Sequence, residues 1–130
     1  MPGTCLNAQA YEGVTFSIRG AAPSGNFAVS LAMLETTSVA NGGLCDNADA
    51  TQCLNATITL PMPADATTWK TIQLPWSAFT PGVGSGQNCV PLTGQNIVQL
   101  VLQPLMSYPP PNYVLQPGPY TMAVDNVAFF

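Results

Sequence analysis

The chain has 130 residues, of which 47% are hydrophobic and only 6% are charged, and its formal net charge is −4. This size predicts one domain, residues 1–130, with enough apolar side chains for a single core. Arg19 and Lys70 are its only cations, so we expect neither a nucleic-acid partner nor a membrane surface as partner. No apolar run reaches the roughly 20 residues that a membrane span needs.

Short segments that alternate apolar and polar residues run along the chain, separated by clusters of Pro and Gly. Such segments are typical of half-buried strands, and several of them at regular spacing predict an all-β, antiparallel β-sandwich or jelly roll. No window has a helical period, and "LPWSAF" predicts at most one short turn. The predicted strands are, in chain order, "GVTFSIRG" (13–20), "NFAVSLAMLETT" (26–37), "LNATITLPM" (54–62), "WKTIQLPW" (69–76), "NIVQLVLQPL" (96–105) and "YTMAVDNVAFF" (120–130).

The period of two also assigns side chains to the faces of these strands. The segment 26–37 is apolar on both faces near its middle, which predicts a central strand covered on both sides. In four other segments the period assigns two sets of side chains to opposite faces. The sets are Val14, Phe16, Ile18 against Thr15, Ser17, Arg19; Ala56, Ile58, Leu60 against Thr57, Thr59; Lys70, Ile72, Leu74 against Trp69, Thr71, Gln73; and Val98, Leu100, Leu102 against Gln99, Val101, Gln103.

Four cysteines permit three disulfide pairings. Cys45 and Cys53 flank the polar loop "DNADATQ", which favours a local disulfide between two strand ends. Cys5 and Cys89 then pair by elimination and tie the N-terminal segment to the loop "GVGSGQNCVP". Thiolate metal binding is the alternative, but the sequence has no C-x-x-C pair and no histidine to support it. The pattern predicts a secreted, extracellular protein, because secreted domains oxidise their cysteines.

Four pieces of the sequence occur together in an order that resembles a known family. They are "AYEGVTFSIRG" (10–20), "GGLCDNADATQC" (42–53), "TTWKTIQLPWSAF" (67–79) and "AVDNVAFF" (123–130). Over residues 10–130 the chain resembles extracellular carbohydrate-binding modules with a galactose-binding-like β-sandwich fold, which are appended to secreted polysaccharide-degrading enzymes. The resemblance implies a non-catalytic domain that binds a cell-wall polysaccharide of the β-glucan, cellulose or xylan type. It also implies a linked catalytic domain as partner.

The start of the chain departs from this family. One or two strands usually precede the first of these pieces, whereas nine residues precede it here, so we expect a domain that is trimmed or minimal or whose first strands were lost with the leader. The opening "MPGTCLNAQ" lacks the basic start and apolar stretch of a signal peptide, so we expect any native leader to have been removed. Ser17 stands where the family often has an aromatic residue.

A sugar-binding face needs exposed aromatic rings for the C–H faces of the sugar and polar groups for its hydroxyls. Arg19 is the most telling candidate because cations are so scarce, although it would equally pair with Glu35 or Asp125. The alternative for the other candidates is that the tyrosines pack a proline-rich loop and the glutamines are ordinary solvated residues. The predicted carbohydrate-binding residues are Arg19, Gln99, Gln103, Tyr108, Tyr113 and Tyr120.

Two other functions remain open at this stage. The lack of histidine removes the usual Ser-His and Cys-His nucleophile pairs. A small polysaccharide-active enzyme would need only two carboxylates roughly 5–10 Å apart, and Glu35 and Asp125 lie in predicted strands that would face one cleft. A structural or adhesion domain is the third possibility, and its signature would be an exposed apolar patch.

The resemblance also implies roles for three further side chains. The acid of the closing strand, Asp125, is expected to help hold a structural calcium ion, which takes several oxygen ligands. The alternative is that Asp125 accepts hydrogen bonds from neighbouring backbone or pairs with Arg19. Trp69 and Trp76 are expected to pack in the core or at its edge.

Overall fold

The computed structural model describes residues 8–49, 52–105 and 119–130. Six of its strands overlap the six predicted segments, while β5 and β6, of two residues each, had no signal in the sequence pattern. Every strand pair is antiparallel, and the described residues contain no α-helix, so the all-β prediction is confirmed. The strands are β1 (Gly13–Ala21), β2 (Asn26–Met33), β3 (Ala56–Pro61), β4 (Lys70–Pro75), β5 (Gly82–Val83), β6 (Cys89–Val90), β7 (Ile97–Pro104) and β8 (Thr121–Phe129).

The long strands form two three-stranded sheets. The first sheet has the order β4-β1-β8 and the second sheet has the order β3-β2-β7, while β5 and β6 pair separately. β2 is therefore the central strand of its sheet, as predicted. Between the strands lie short 3-10 turns, and the turn Trp76–Ala78 falls where "LPWSAF" predicted one. Within the described residues no helix is long and apolar enough to cross a membrane.

The buried side chains of both sheets belong to one hydrophobic cluster. The rings of Phe16 on β1 and Phe27 on β2 meet edge to face, with centroids 6.3 Å apart, a favourable aromatic geometry. From Val14 onwards, buried residues of β1 alternate with half-buried or exposed ones, as the period of two predicted. The fully buried members from β1 and β2 are Val14, Phe16, Ile18, Phe27, Val29 and Leu31.

A β-bulge at the start of β7 changes which residues of that strand face the core. Ala32 pairs with Gln99, but the next residue of β2, Met33, pairs with Ile97, so Val98 is left over. The extra residue reverses the alternation. Ile97 is therefore buried, with 5% of its surface exposed, and Val98 is 40% exposed. The prediction that Val98 shares the core face of this strand was wrong.

The predicted strand 26–37 ends earlier than expected, because β2 stops at Met33 and a 3-10 turn, Leu34–Thr36, follows. Threonine hydroxyls compete for the backbone groups at this point. The Thr36 hydroxyl accepts a hydrogen bond from the Met33 N–H (3.0 Å), and the Thr37 hydroxyl donates to the Met33 carbonyl (2.8 Å). Glu35 therefore lies in a turn and not in a strand.

The disulfide predicted between Cys45 and Cys53 is present, with the two Cα atoms 6.1 Å apart. A disulfide is compatible with an extracellular protein. Cys89 on β6 is exposed and has no disulfide partner among the described residues. Cys5 lies outside the described residues, so its pairing with Cys89 stays a prediction.

Candidate functional site

The structure divides the predicted carbohydrate-binding residues between the two sheets. Arg19 is exposed on β1 of the first sheet, whereas Gln99 and Gln103 are exposed on β7 of the second sheet. Tyr120, which immediately precedes β8, is 56% exposed. The remaining two, Tyr108 and Tyr113, lie outside the described residues. Arg19 and the two glutamines therefore do not form one binding face.

Arg19 has an aromatic partner, Trp69, for which a packing role is predicted. Its guanidinium carbon lies 4.7 Å from the centroid of the Trp69 ring, a cation–π contact. Trp69 immediately precedes β4 and is 43% exposed, so it does not enter the core. The period of two places Trp69 on the same face as the polar residues Thr71 and Gln73. This pattern indicates an exposed side chain, and it could have identified Trp69 as a surface residue.

Trp76 differs from Trp69 and is packed in the core, as expected. Only 8% of its surface is exposed, and its ring lies 5.9 Å from that of Phe129. Its indole N–H donates a hydrogen bond to the Tyr11 carbonyl (2.8 Å), which satisfies the one polar atom of the side chain.

Polar side chains continue across the sheet beside Trp69. Ser17 on β1 is opposite Thr71 on β4, and their hydroxyl oxygens are 3.3 Å apart. Two residues further along, Thr15 is opposite Gln73. Such cross-strand pairs on one face repeat about every 6.8 Å, twice the rise per strand residue. We call this surface the Trp69 face, and it comprises Trp69, Thr71, Gln73, Arg19, Ser17, Thr15 and Asp125.

Asp125 belongs to the Trp69 face because β8 pairs with β1 so that Asp125 is opposite Ser17. Arg19 is opposite Ala123, which makes Asp125 its diagonal neighbour, at a Cα separation of about 7–8 Å. The carboxylate is exposed, and its Oδ1 accepts a hydrogen bond from the Asn126 N–H (2.7 Å). Of the alternatives for this acid, hydrogen bonding to neighbouring backbone is therefore observed.

The calcium ion expected at Asp125 stays a prediction. Calcium takes about six to eight oxygen ligands, usually with several carboxylates among them. Asp125 supplies one carboxylate, and residues 8–49, 52–105 and 119–130 contain no group of three or more His, Cys, Asp or Glu side chains that would hold a metal.

Glu35 and Asp125, the candidate catalytic pair, are on separate parts of the fold. Glu35 follows β2 of the second sheet, and its Oε1 accepts a hydrogen bond from the Asn96 side-chain amide (2.7 Å). Asp125 lies on the outer surface of the first sheet. The described structure therefore gives Glu35 a role in joining the end of β2 to the start of β7.

A hydrogen-bonded turn precedes Trp69 in the loop between β3 and β4. The Thr67 backbone N–H donates to the Asp65 carboxylate (2.9 Å), and the hydroxyls of Thr67 and Thr68 donate to it as well. These hydrogen bonds, the backbone one foremost, lower the pKa of Asp65 because they stabilise its charged form. The turn thereby fixes the path of the chain into Trp69.

Comparison with known proteins adds no relative. No protein-family model, no curated protein and no solved structure matches this chain.

Proposed function

We propose that this chain is a non-catalytic carbohydrate-binding module with a galactose-binding-like β-sandwich fold. It binds a cell-wall polysaccharide of the β-glucan, cellulose or xylan type on the Trp69 face. In its native setting it is linked to a secreted polysaccharide-degrading enzyme and raises the concentration of that enzyme on an insoluble substrate.

The exposed stack of Arg19 on Trp69 is the observation that carries this proposal. An indole ring offers a flat apolar surface for the C–H face of a sugar, and the hydroxyls beside it suit the sugar's edge. Arg19 holds the ring from one side, which reduces the side-chain freedom that binding would otherwise remove. Ser17 and Thr71 place paired hydroxyls next to it.

The proposed fold is supported by the way in which the two sheets share a core. Phe16 of the first sheet and Phe27 of the second sheet are both fully buried and in ring contact. Two antiparallel sheets that contribute inward-facing residues to one core are the defining feature of a β-sandwich.

The outer surface of the second sheet is the natural comparison. It carries Gln99 and Gln103, whose cross-strand partners on β2 are the small residues Ala32 and Ala28. These four positions supply amides but no aromatic ring, so this described part of the second sheet offers no flat surface for a sugar ring. Substitutions there serve as controls for the Trp69 face.

The test is a pull-down of the purified protein on insoluble cellulose, xylan, chitin and β-glucan. We expect the wild-type protein to bind at least one polymer and Trp69→Ala to weaken that binding about tenfold or more, as expected for an aromatic anchor. Tyr11→Ala is the matched control, because Tyr11 is also exposed (48%) but packs against Phe129 away from this face. Unchanged binding by Trp69→Ala would refute the assigned face, and no binding to any polymer would favour the adhesion alternative.

The same samples distinguish a binding module from an enzyme, because reducing sugar released from each polymer is measured in parallel. A module releases none. Release that disappears in Glu35→Gln or Asp125→Asn would replace the proposal with that of a carboxylate-dependent glycoside hydrolase.

A further inference from the structure

A second β-bulge, in β8, lies next to Asp125. Thr15 of β1 pairs with Ala128, and Ser17 pairs with Asp125, so two steps along β1 correspond to three steps along β8. Asn126 within the bulge has a positive φ of 54°. Residues other than glycine rarely adopt this left-handed conformation, and asparagine is among those that tolerate it best.

The bulge determines the direction in which Asp125 points. A regular ladder continued from the Thr15–Ala128 pair would put Asn126 opposite Ser17 and would turn Asp125 towards the core. Instead, the extra residue reverses the alternation, and it is Val124 and Met122 that pack against the core. Asp125 is thus on the same outer surface as Arg19 and Trp69 because of the bulge.

The bulge also fixes the orientation of the carboxylate. The Asn126 N–H that donates to Asp125 Oδ1 (2.7 Å) belongs to the residue with the left-handed backbone. Left-handed residues outside glycine are often found at ligand sites, where the surrounding structure maintains the strain. The backbone therefore holds the Asp125 carboxylate, an exposed hydrogen-bond acceptor, in one orientation. Arg19, a hydrogen-bond donor, lies on the neighbouring strand of the same face.

We propose that Asp125 is a specificity-determining residue of the Trp69 face and that Asn126 is its positioning residue. This inference rests on the proposed carbohydrate-binding function. The carboxylate accepts a hydrogen bond from a sugar hydroxyl, so the face selects neutral polysaccharides. Polymers of uronic acids are rejected, because their carboxylates would meet Asp125 and a protein of net charge −4.

The test compares affinities for a soluble neutral β-glucan and for polygalacturonate by affinity gel electrophoresis at low salt. We expect the wild-type protein to bind the β-glucan only. Asp125→Asn should lower the affinity for the β-glucan about fivefold or more, since a hydrogen bond to a charged acceptor is lost. It should also reduce the ratio of the affinity for the β-glucan to the affinity for polygalacturonate. Asp46→Asn removes the same charge from an exposed loop position and should leave both affinities unchanged.

Two substitutions of Asn126 separate positioning from overall stability. Asn126→Gly keeps the backbone N–H and allows the left-handed conformation, so it should bind as the wild type does. Asn126→Ala disfavours that conformation and should lose affinity for the β-glucan. Both variants are checked by thermal unfolding, so that a loss of binding by an unfolded protein is recognised and is excluded from the comparison.

The outcomes that overturn this inference differ from those that overturn the function. If Trp69→Ala abolishes binding while Asp125→Asn binds like the wild type, Asp125 has no role in specificity and the carbohydrate-binding function stands. A wild-type preference for polygalacturonate would likewise refute the proposed selectivity alone. No binding of the wild-type protein to these two polymers or to cellulose, xylan or chitin would refute both proposals.

Discussion

Gly20, in β1, is a position where a single side-chain atom would disturb the first sheet. Its φ is +137°, and a Cβ built there would lie 2.1 Å from the Thr121 carbonyl oxygen of β8. Gly25, in the turn before β2, also has a positive φ (+73°) but has no atom within 4 Å of such a Cβ. Substitution of Gly25 therefore tests backbone strain alone, whereas substitution of Gly20 also tests steric overlap.

We expect Gly20→Ala to lower the free energy of unfolding by clearly more than Gly25→Ala. The second substitution adds only the left-handed strain, about 1–2 kcal/mol, whereas the first adds the overlap with β8. Urea denaturation of both variants measures the difference. Equal losses would show that β8 does not approach Gly20 as closely as the structure has it.

Asp65 provides a pH-dependent contribution to stability. Its pKa is lowered in the folded protein by the hydrogen bonds from Thr67 and Thr68, relative to an ordinary value of 3.8. A carboxyl group with a lowered pKa stabilises the fold above its unfolded pKa, and this contribution is lost as the pH falls through the folded pKa. The wild type should therefore be more stable than Asp65→Asn at neutral pH, and the difference should shrink below about pH 4. Thermal unfolding against pH would contradict this if the difference stayed constant down to low pH.

The strands were predictable from the sequence because most of the long strands turn one apolar face towards the core, which imposes a period of two. The two bulges were not predictable, because a bulge is defined by the register of one strand against another. The local sequence of a strand does not identify its partner strand. β5 and β6 were missed for a related reason, because two residues are too few to display any period. β2 ends early because the Thr36 and Thr37 hydroxyls form hydrogen bonds with the backbone of Met33. The alternation of apolar and polar residues carries no information about these hydrogen bonds.

The bulge in β7 predicts unequal losses of stability for substitutions at two adjacent residues. Ile97→Ala should destabilise the protein by about 2–5 kcal/mol, because Ile97 is buried in the core. Val98→Ala should cost less than about 1 kcal/mol, because Val98 is 40% exposed. Denaturant unfolding of the two variants compares them directly. The reverse order would mean that β7 pairs with β2 in the regular register, without the bulge.

For the whole molecule, the chief result is how distant parts of the chain meet on one surface. Arg19, Trp69 and Asp125 come from three different strands or their ends and share the Trp69 face. The sequence indicated a polar and aromatic sheet face, but it grouped Arg19 with Gln99 and Gln103. Sheet membership depends on long-range pairing, so local alternation assigns a residue to a face of its strand but not to one of the two sheets.

The most direct test of the proposed sugar-binding face is a backbone and indole chemical-shift titration of the isotope-labelled protein with a soluble cello- or xylo-oligosaccharide that it binds. We predict that the perturbed signals are the Trp69 indole N–H and the backbone amides of Arg19, Thr71 and Asp125. The amides of Gln99 and Gln103 should remain unshifted. Perturbations concentrated on Gln99 and Gln103, with the Trp69 indole unaffected, would contradict the assignment and move the binding site to the second sheet.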